Sequence, residues 1–95
     1  MLKSYELVYV LKPEIGEEKL EAAQARINDL IKEHGEVTEV DVWGQKRLAY
    51  EIDDHREGYY ILVHFNAPAD FPKELERVLK ISDSVLRYLV VNLEE

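Results

Sequence analysis

Trp43-Gly44-Gln45-Lys46-Arg47-Leu48-Ala49-Tyr50-Glu51-Ile52 is the second half of a β-rich run that begins at Glu36. Asp53-Asp54-His55-Arg56-Glu57-Gly58 then interrupts it with polar residues and a closing glycine. Past the interruption alternation resumes over Tyr59 to Phe65, with Tyr59, Ile61, Val63 and Phe65 on one face and Tyr60, Leu62 and His64 on the other. Alternating runs on either side of a polar, glycine-ended segment predict an antiparallel hairpin with its loop at 53–58. Val37, Val40, Val42, Leu48, Tyr50 and Ile52 supply the apolar positions of the first arm. Their phase changes near Gly44, as for one long strand with a bulge or two collinear strands.

Working outward from the hairpin, each side carries a helical pattern. On the N-terminal side Gly16 precedes the acidic pair Glu17-Glu18, and Leu20, Ala23, Ile27, Leu30 and Ile31 form an apolar stripe. His34-Gly35 closes it, with the glycine expected in a left-handed C-terminal conformation. On the other side Pro68-Ala69-Asp70 opens a second helix, with Asp70 the candidate N-cap and Pro72 in the first turn. Phe71, Leu75, Val78 and Leu79 are its stripe.

A strand lies outside each helix. Tyr5, Leu7, Tyr9 and Leu11 alternate with Glu6, Val8, Val10 and Lys12, and Pro13 ends the run. Both faces are apolar at mid-strand, which predicts a central position. Ser82-Asp83-Ser84 turns the chain into Val85 to Leu93, the last strand. The order is βαββαβ. Two helices in these places cover one face of a four-stranded antiparallel sheet, so the expected class is α+β, a ferredoxin-like sandwich over residues 1–95 as a single domain. Right-handed crossovers put the first and third strands in the middle and the second and fourth at the edges. The uncovered face is expected to be lined by Val8, Val10, Tyr60 and Leu62 and to dock a partner.

Composition narrows the function. With no cysteine, disulfides and thiolate metal sites are excluded. The opening residues lack the apolar core of a signal peptide, and no stretch approaches the roughly 20 apolar residues of a membrane helix. A soluble, cytoplasmic protein is expected, with no membrane partner, small-molecule substrate or cofactor. Twelve Lys and Arg stand against twenty Asp and Glu, for a formal net charge of −8. Such a chain is repelled by phosphate backbones unless a local patch or a basic partner compensates.

Catalytic chemistry finds no support. His34, His55 and His64 fall on a helix end, a loop and a strand, without the i, i+4 spacing of a zinc site. The loop after the first strand, Lys12-Pro13-Glu14-Ile15-Gly16, carries an acid where small acylphosphatases of this topology place an arginine. Asp53-Asp54 reads as hairpin-loop polarity before it reads as a cation site. No enzyme, and no metal site, is expected. RNA chemistry is better served: Lys46 and Arg47 can meet phosphates, and Tyr50 or Trp43 can stack on a base or fill an apolar notch. The third strand, Glu57 to His64, does not fit an RNA-recognition motif. It is acidic at the first position, where that motif is basic, and has tyrosine at the fourth, where the motif has a small residue.

The stretch Trp43 to Ile52 resembles the Trp/Leu-Gly-x-Lys/Arg-Arg-Leu-Ala-Tyr-x-Ile signature of the ribosomal protein six family of the bacterial small subunit. Tyr5 to Pro13 is similar to that family's opening strand, Arg56-Glu57-Gly58-Tyr59-Tyr60 to its glycine-aromatic entry into the next strand, and Leu79 to Arg87 to its last helix-to-strand joint. The resemblance implies the same fold and a structural role in the small subunit. It implies binding of small-subunit (16S) ribosomal RNA in company with ribosomal protein eighteen, a basic protein. The RNA contacts it implies are Lys46, Arg47 and Tyr50, with Lys3 and Arg87 as nearby cations. Arg87 reads equally as an edge-strand guard against aggregation. Where the family commonly has basic residues, this sequence has Leu2 and Asn92. Two other readings remain open at this point: an engineered or diverged domain of this fold that has lost RNA binding, and a small regulatory module that dimerises through its open sheet face.

Overall fold

The computed structural model describes residues 2–52 and 55–94, with the side chains of 49–52 and 55 outside the description. The elements are β1 (Lys3–Leu11), a 3-10 turn (Pro13–Ile15), α1 (Glu17–His34), β2 (Glu36–Ile52), β3 (His55–Ala67), α2 (Phe71–Ile81) and β4 (Val85–Asn92). The strands form one sheet in the order β2-β3-β1-β4, and each pairing is antiparallel. β1 and β3 are central and β2 and β4 are edges, as the two-sided apolar pattern of β1 requires.

Alternation decides what is buried. Tyr5, Leu7, Tyr9 and Leu11 of β1 and Ile61, Val63, Phe65 and Ala67 of β3 point to the helices and form the core with Leu20, Ile27 and Ile31 of α1 and Phe71, Leu75 and Leu79 of α2. Tyr5 stacks on Phe65 at 5.4 Å between ring centroids, and Phe71 meets Phe65 edge-on at 6.0 Å. The Tyr9 hydroxyl has no hydrogen-bond partner, and burial, with Tyr59 beside it, pushes that phenol far above the usual tyrosine range. Both helical stripes face the sheet as read from the sequence, although Leu30 is only partly buried, at the margin between α1 and α2.

Four local expectations are corrected. β3 begins at His55, not Tyr59, because Lys46 pairs opposite Gly58 and Arg47 opposite Glu57, so the ladder runs on into the polar segment. Asp53 and Asp54, the remainder of the expected loop, lie outside the described residues. Gly35 is not left-handed (φ −163°); a Cβ there would stand 2.0 Å from the Asn66 carbonyl oxygen, so close approach to β3 is what demands glycine. Asp70 precedes α2 as expected, yet its side chain makes no capping hydrogen bond. β4 ends at Asn92. The Gly44 expectation holds: β2 is one strand, its register slips between Val42 and Gly44, and Gly44 has φ +82°.

Candidate nucleic-acid interface

Opposite the helices the sheet presents side chains in rows that the register defines. One row runs Arg87, Val10, Tyr60 and the Trp43-Gly44 bulge across β4, β1, β3 and β2. The next runs Leu89, Val8, Leu62 and Asp41, and the third Val91, Glu6, His64 and Glu39. Beyond the first row, toward the hairpin tip, Lys46 stands opposite Gly58. The centre of the face is therefore apolar, with cations at the hairpin end and acids at the other.

Val8, Tyr60 and Leu62 are half-buried on this face, where the sequence placed them. Val10 shares the face but is 3% exposed. A Cβ on Gly58 would lie 2.3 Å from Val10 Cγ1 and 3.1 Å from Leu48 Cδ2, so Val10, Leu48 and Tyr60 close in around the glycine and leave Val10 little surface for a partner. Val10 and Leu48 thus form a small apolar cluster of their own, apart from the main core. Leu89, 60% exposed, and Val91, 37% exposed, extend the apolar strip onto β4. The sequence reading missed both. Period two in Val85–Asn92 groups them with Arg87, but Leu86, Tyr88 and Val90 are equally apolar, so the pattern alone does not say which set faces the helices.

The bulge at Trp43-Gly44 brings Trp43 onto the face beside Tyr60, with parallel rings 6.3 Å apart at 21°. The indole Nε1 donates to Asp41 Oδ2 at 2.9 Å, and Lys46 Nζ sits 5.4 Å from the ring centroid. A cation in this position on an exposed tryptophan is worth about 0.5–1 kcal/mol. Below the apolar strip His64 Nε2 meets Glu6 Oε1 at 2.9 Å, with Glu39 Oε1 3.9 Å from Nδ1.

The expected RNA-binding residues do not gather in one place. Pairing is regular from Gln45 to Arg47, so Lys46 is on the open face and Arg47 on the opposite side of the strand. The bulge precedes both and does not swing them together. Arg87 lies on the open face opposite Val10, at the β4 edge. Lys3 pairs opposite Ala67, at the end of β1 away from the hairpin, and does not join the others. The Tyr50 side chain lies outside the described residues. Among the described residues no group of His, Asp and Glu is disposed to hold a metal ion, and no helix is long and apolar enough to cross a membrane.

A sequence model of the family described as "Ribosomal protein S6" matches residues 4–92. The chain belongs to the ribosomal protein S6 family. Among similar proteins, the "Small ribosomal subunit protein bS6" of Moorella thermoacetica is 48% identical over 95 residues, covering 99% of this chain and 97% of that protein. The protein of the same name from Alkaliphilus oremlandii is 48% identical over 94 residues, covering 99% of this chain and all of its counterpart. The crystal structure of 30S ribosomal protein S6 from Thermotoga maritima superposes with a TM-score of 0.91 at 26% identity, over 97% of this chain and 88% of that one. Ribosomal protein S6 relatives are structural proteins and not enzymes, in agreement with the sequence reading.

Proposed function

We propose that this chain is a structural constituent of the bacterial small ribosomal subunit that holds 16S ribosomal RNA jointly with ribosomal protein eighteen, in the cytoplasm where that particle works. Family membership over residues 4–92 carries the reading. The open face supports its division of labour. Val8, Tyr60 and Leu62, extended by Leu89 and Val91, offer an apolar docking strip to the protein partner, and Val10 supports the strip from beneath. Lys46 and Arg87 at the hairpin end of that face, with Arg47 and Tyr50 further along the hairpin, meet the RNA. Lys3, at the far end of β1, is a separate contact. A net charge of −8 opposes solitary binding to phosphates, so a basic partner makes the approach favourable.

The test is a gel-shift titration of a 16S RNA fragment at several salt concentrations, with and without ribosomal protein eighteen. The isolated chain should bind negligibly at physiological salt, and the partner should restore binding. Tight, RNA-specific binding by this chain alone would refute the charge argument. In the assembled complex Arg47→Ala should reduce the salt slope by roughly one phosphate contact. Tyr50→Phe should be nearly silent while Tyr50→Ala weakens binding by about 1–3 kcal/mol.

A further inference from the structure

Trp43 is the chain's single tryptophan, it is 43% exposed, and it stands on an edge strand where a smaller apolar residue would leave the core untouched. Several features hold it there. The bulge with its positive-φ glycine brings it onto the open face, Tyr60 lies parallel to it, and Asp41 ties down its Nε1. An aromatic plane fixed in place before its ligand arrives loses little rotamer freedom on binding. The charge beside it discriminates among ligands. Lys46 already occupies the cation position on the indole, so a partner's arginine arriving at that ring meets a like charge. A nucleotide meets an aromatic surface for its base and an ammonium for its phosphate.

We propose that Trp43, backed by Tyr60 and oriented by Asp41, is a stacking platform for one unpaired base of the small-subunit RNA, with Lys46 moving from the indole to the phosphate of that nucleotide. The proposal rests on the RNA-binding reading above and adds to it a residue and a type of RNA element: a single-stranded loop or bulge, not a paired helix. Base faces in an RNA duplex are covered by their stacked neighbours, and only a splayed base offers its face to a side chain. Because stacking is indifferent to base identity, the platform tolerates any of the four bases.

The experiment uses the ternary complex of this chain, ribosomal protein eighteen and a 16S RNA fragment, alongside the binary protein complex without RNA. Trp43→Ala should weaken RNA binding by about 5- to 150-fold with an unchanged salt slope, while Trp43→Phe keeps most of the affinity. Lys46→Ala should lower the salt slope by about one contact. Affinity for the protein partner should be unchanged in all three, and thermal melts should show each variant folded. If Trp43→Ala weakens the binary complex as much as the ternary one, the indole is a protein contact and the stacking proposal falls while the ribosomal reading stands. If neither complex changes, the indole only shields Tyr60 and the proposal falls. If the unaltered chain fails to assemble on the RNA even with the partner, the parent reading falls, and the platform with it.

Discussion

The two faces of this sheet are made by the same strands and obey different rules. On the helix side Leu7, Tyr9, Leu11, Ile61 and Val63 are completely buried, and two helical stripes fill the space above them. On the open side the same β1 and β3 contribute Val8, Tyr60 and Leu62, half-covered by one another and by the edge strands. The first face is determined by packing, where a lost methylene leaves a cavity. The second, on the reading proposed above, is determined by what approaches it. There the notable features are a glycine with no room for a Cβ, a bulge, an aromatic pair and a segregation of charge.

The largest effect that would sharpen the contrast is on the helix side. Leu75, on the sheet-facing stripe of α2, is fully buried, so Leu75→Ala should cost about 2–5 kcal/mol in a urea melt. A loss under half a kcal/mol would mean that the helices do not cover this face as described. The partly buried Leu30 should lose less. Next comes the open face at its tightest point. A methyl on Gly58 must push Val10 and Leu48 aside, and Gly58→Ala should destabilise by about 1–3 kcal/mol. A silent Gly58→Ala would show that the cluster around Val10 repacks freely and that the open face has no tight packing of its own.

Gly44→Ala comes after it, at about 1–2 kcal/mol. No atom lies within 4 Å of the added carbon, so the whole cost is that of placing an L-residue at φ +82°. It should also disturb Trp43 fluorescence, since the bulge sets the position of the indole. Tyr9→Phe should change stability by less than about 1 kcal/mol at neutral pH, since it deletes a hydroxyl that bonds to nothing. Its signature is alkaline. The folded state holds Tyr9 protonated beyond the usual range, so the stability this confers is present below about pH 10 and is lost as the unfolded phenol ionises above it. Melts across that range should show a shallower decline for Tyr9→Phe. Smallest of all is Leu89→Ser on the open face, within about 0.5 kcal/mol for folding, yet it should weaken association with the basic partner.

Much of the fold was legible because periodicity encodes it. The two-sided apolar run of β1 announced a central strand, the stripes Leu20 to Ile31 and Phe71 to Leu79 announced helices, and Gly44 announced its bulge. The start of β3 was not legible, because backbone pairing takes in Glu57 and Gly58 whatever their polarity, and Gly58 imitates a turn residue while serving a close approach. The candidate site was less legible still. Period two already sends the adjacent Lys46 and Arg47 to opposite sides of a regular strand, but only the register shows that the Gly44 bulge comes before both and leaves them apart. Nothing local distinguishes Leu89 from Val90 either, since only the register to β1 says which one the helices cover.

The register of β1 also bears on the order of events during synthesis. Its neighbours in the sheet are β3, some fifty residues later in the chain, and β4, some eighty residues later. β1 is thus flanked on both sides only after β4 has been made, and the sheet that α1 covers is incomplete when that helix is synthesised. Non-local pairing of this kind delays folding until the loop-closure entropy can be offset by many contacts at once. The β2-β3 hairpin can pair as it emerges, but the sheet should close only when β4 supplies the second neighbour of a strand made long before.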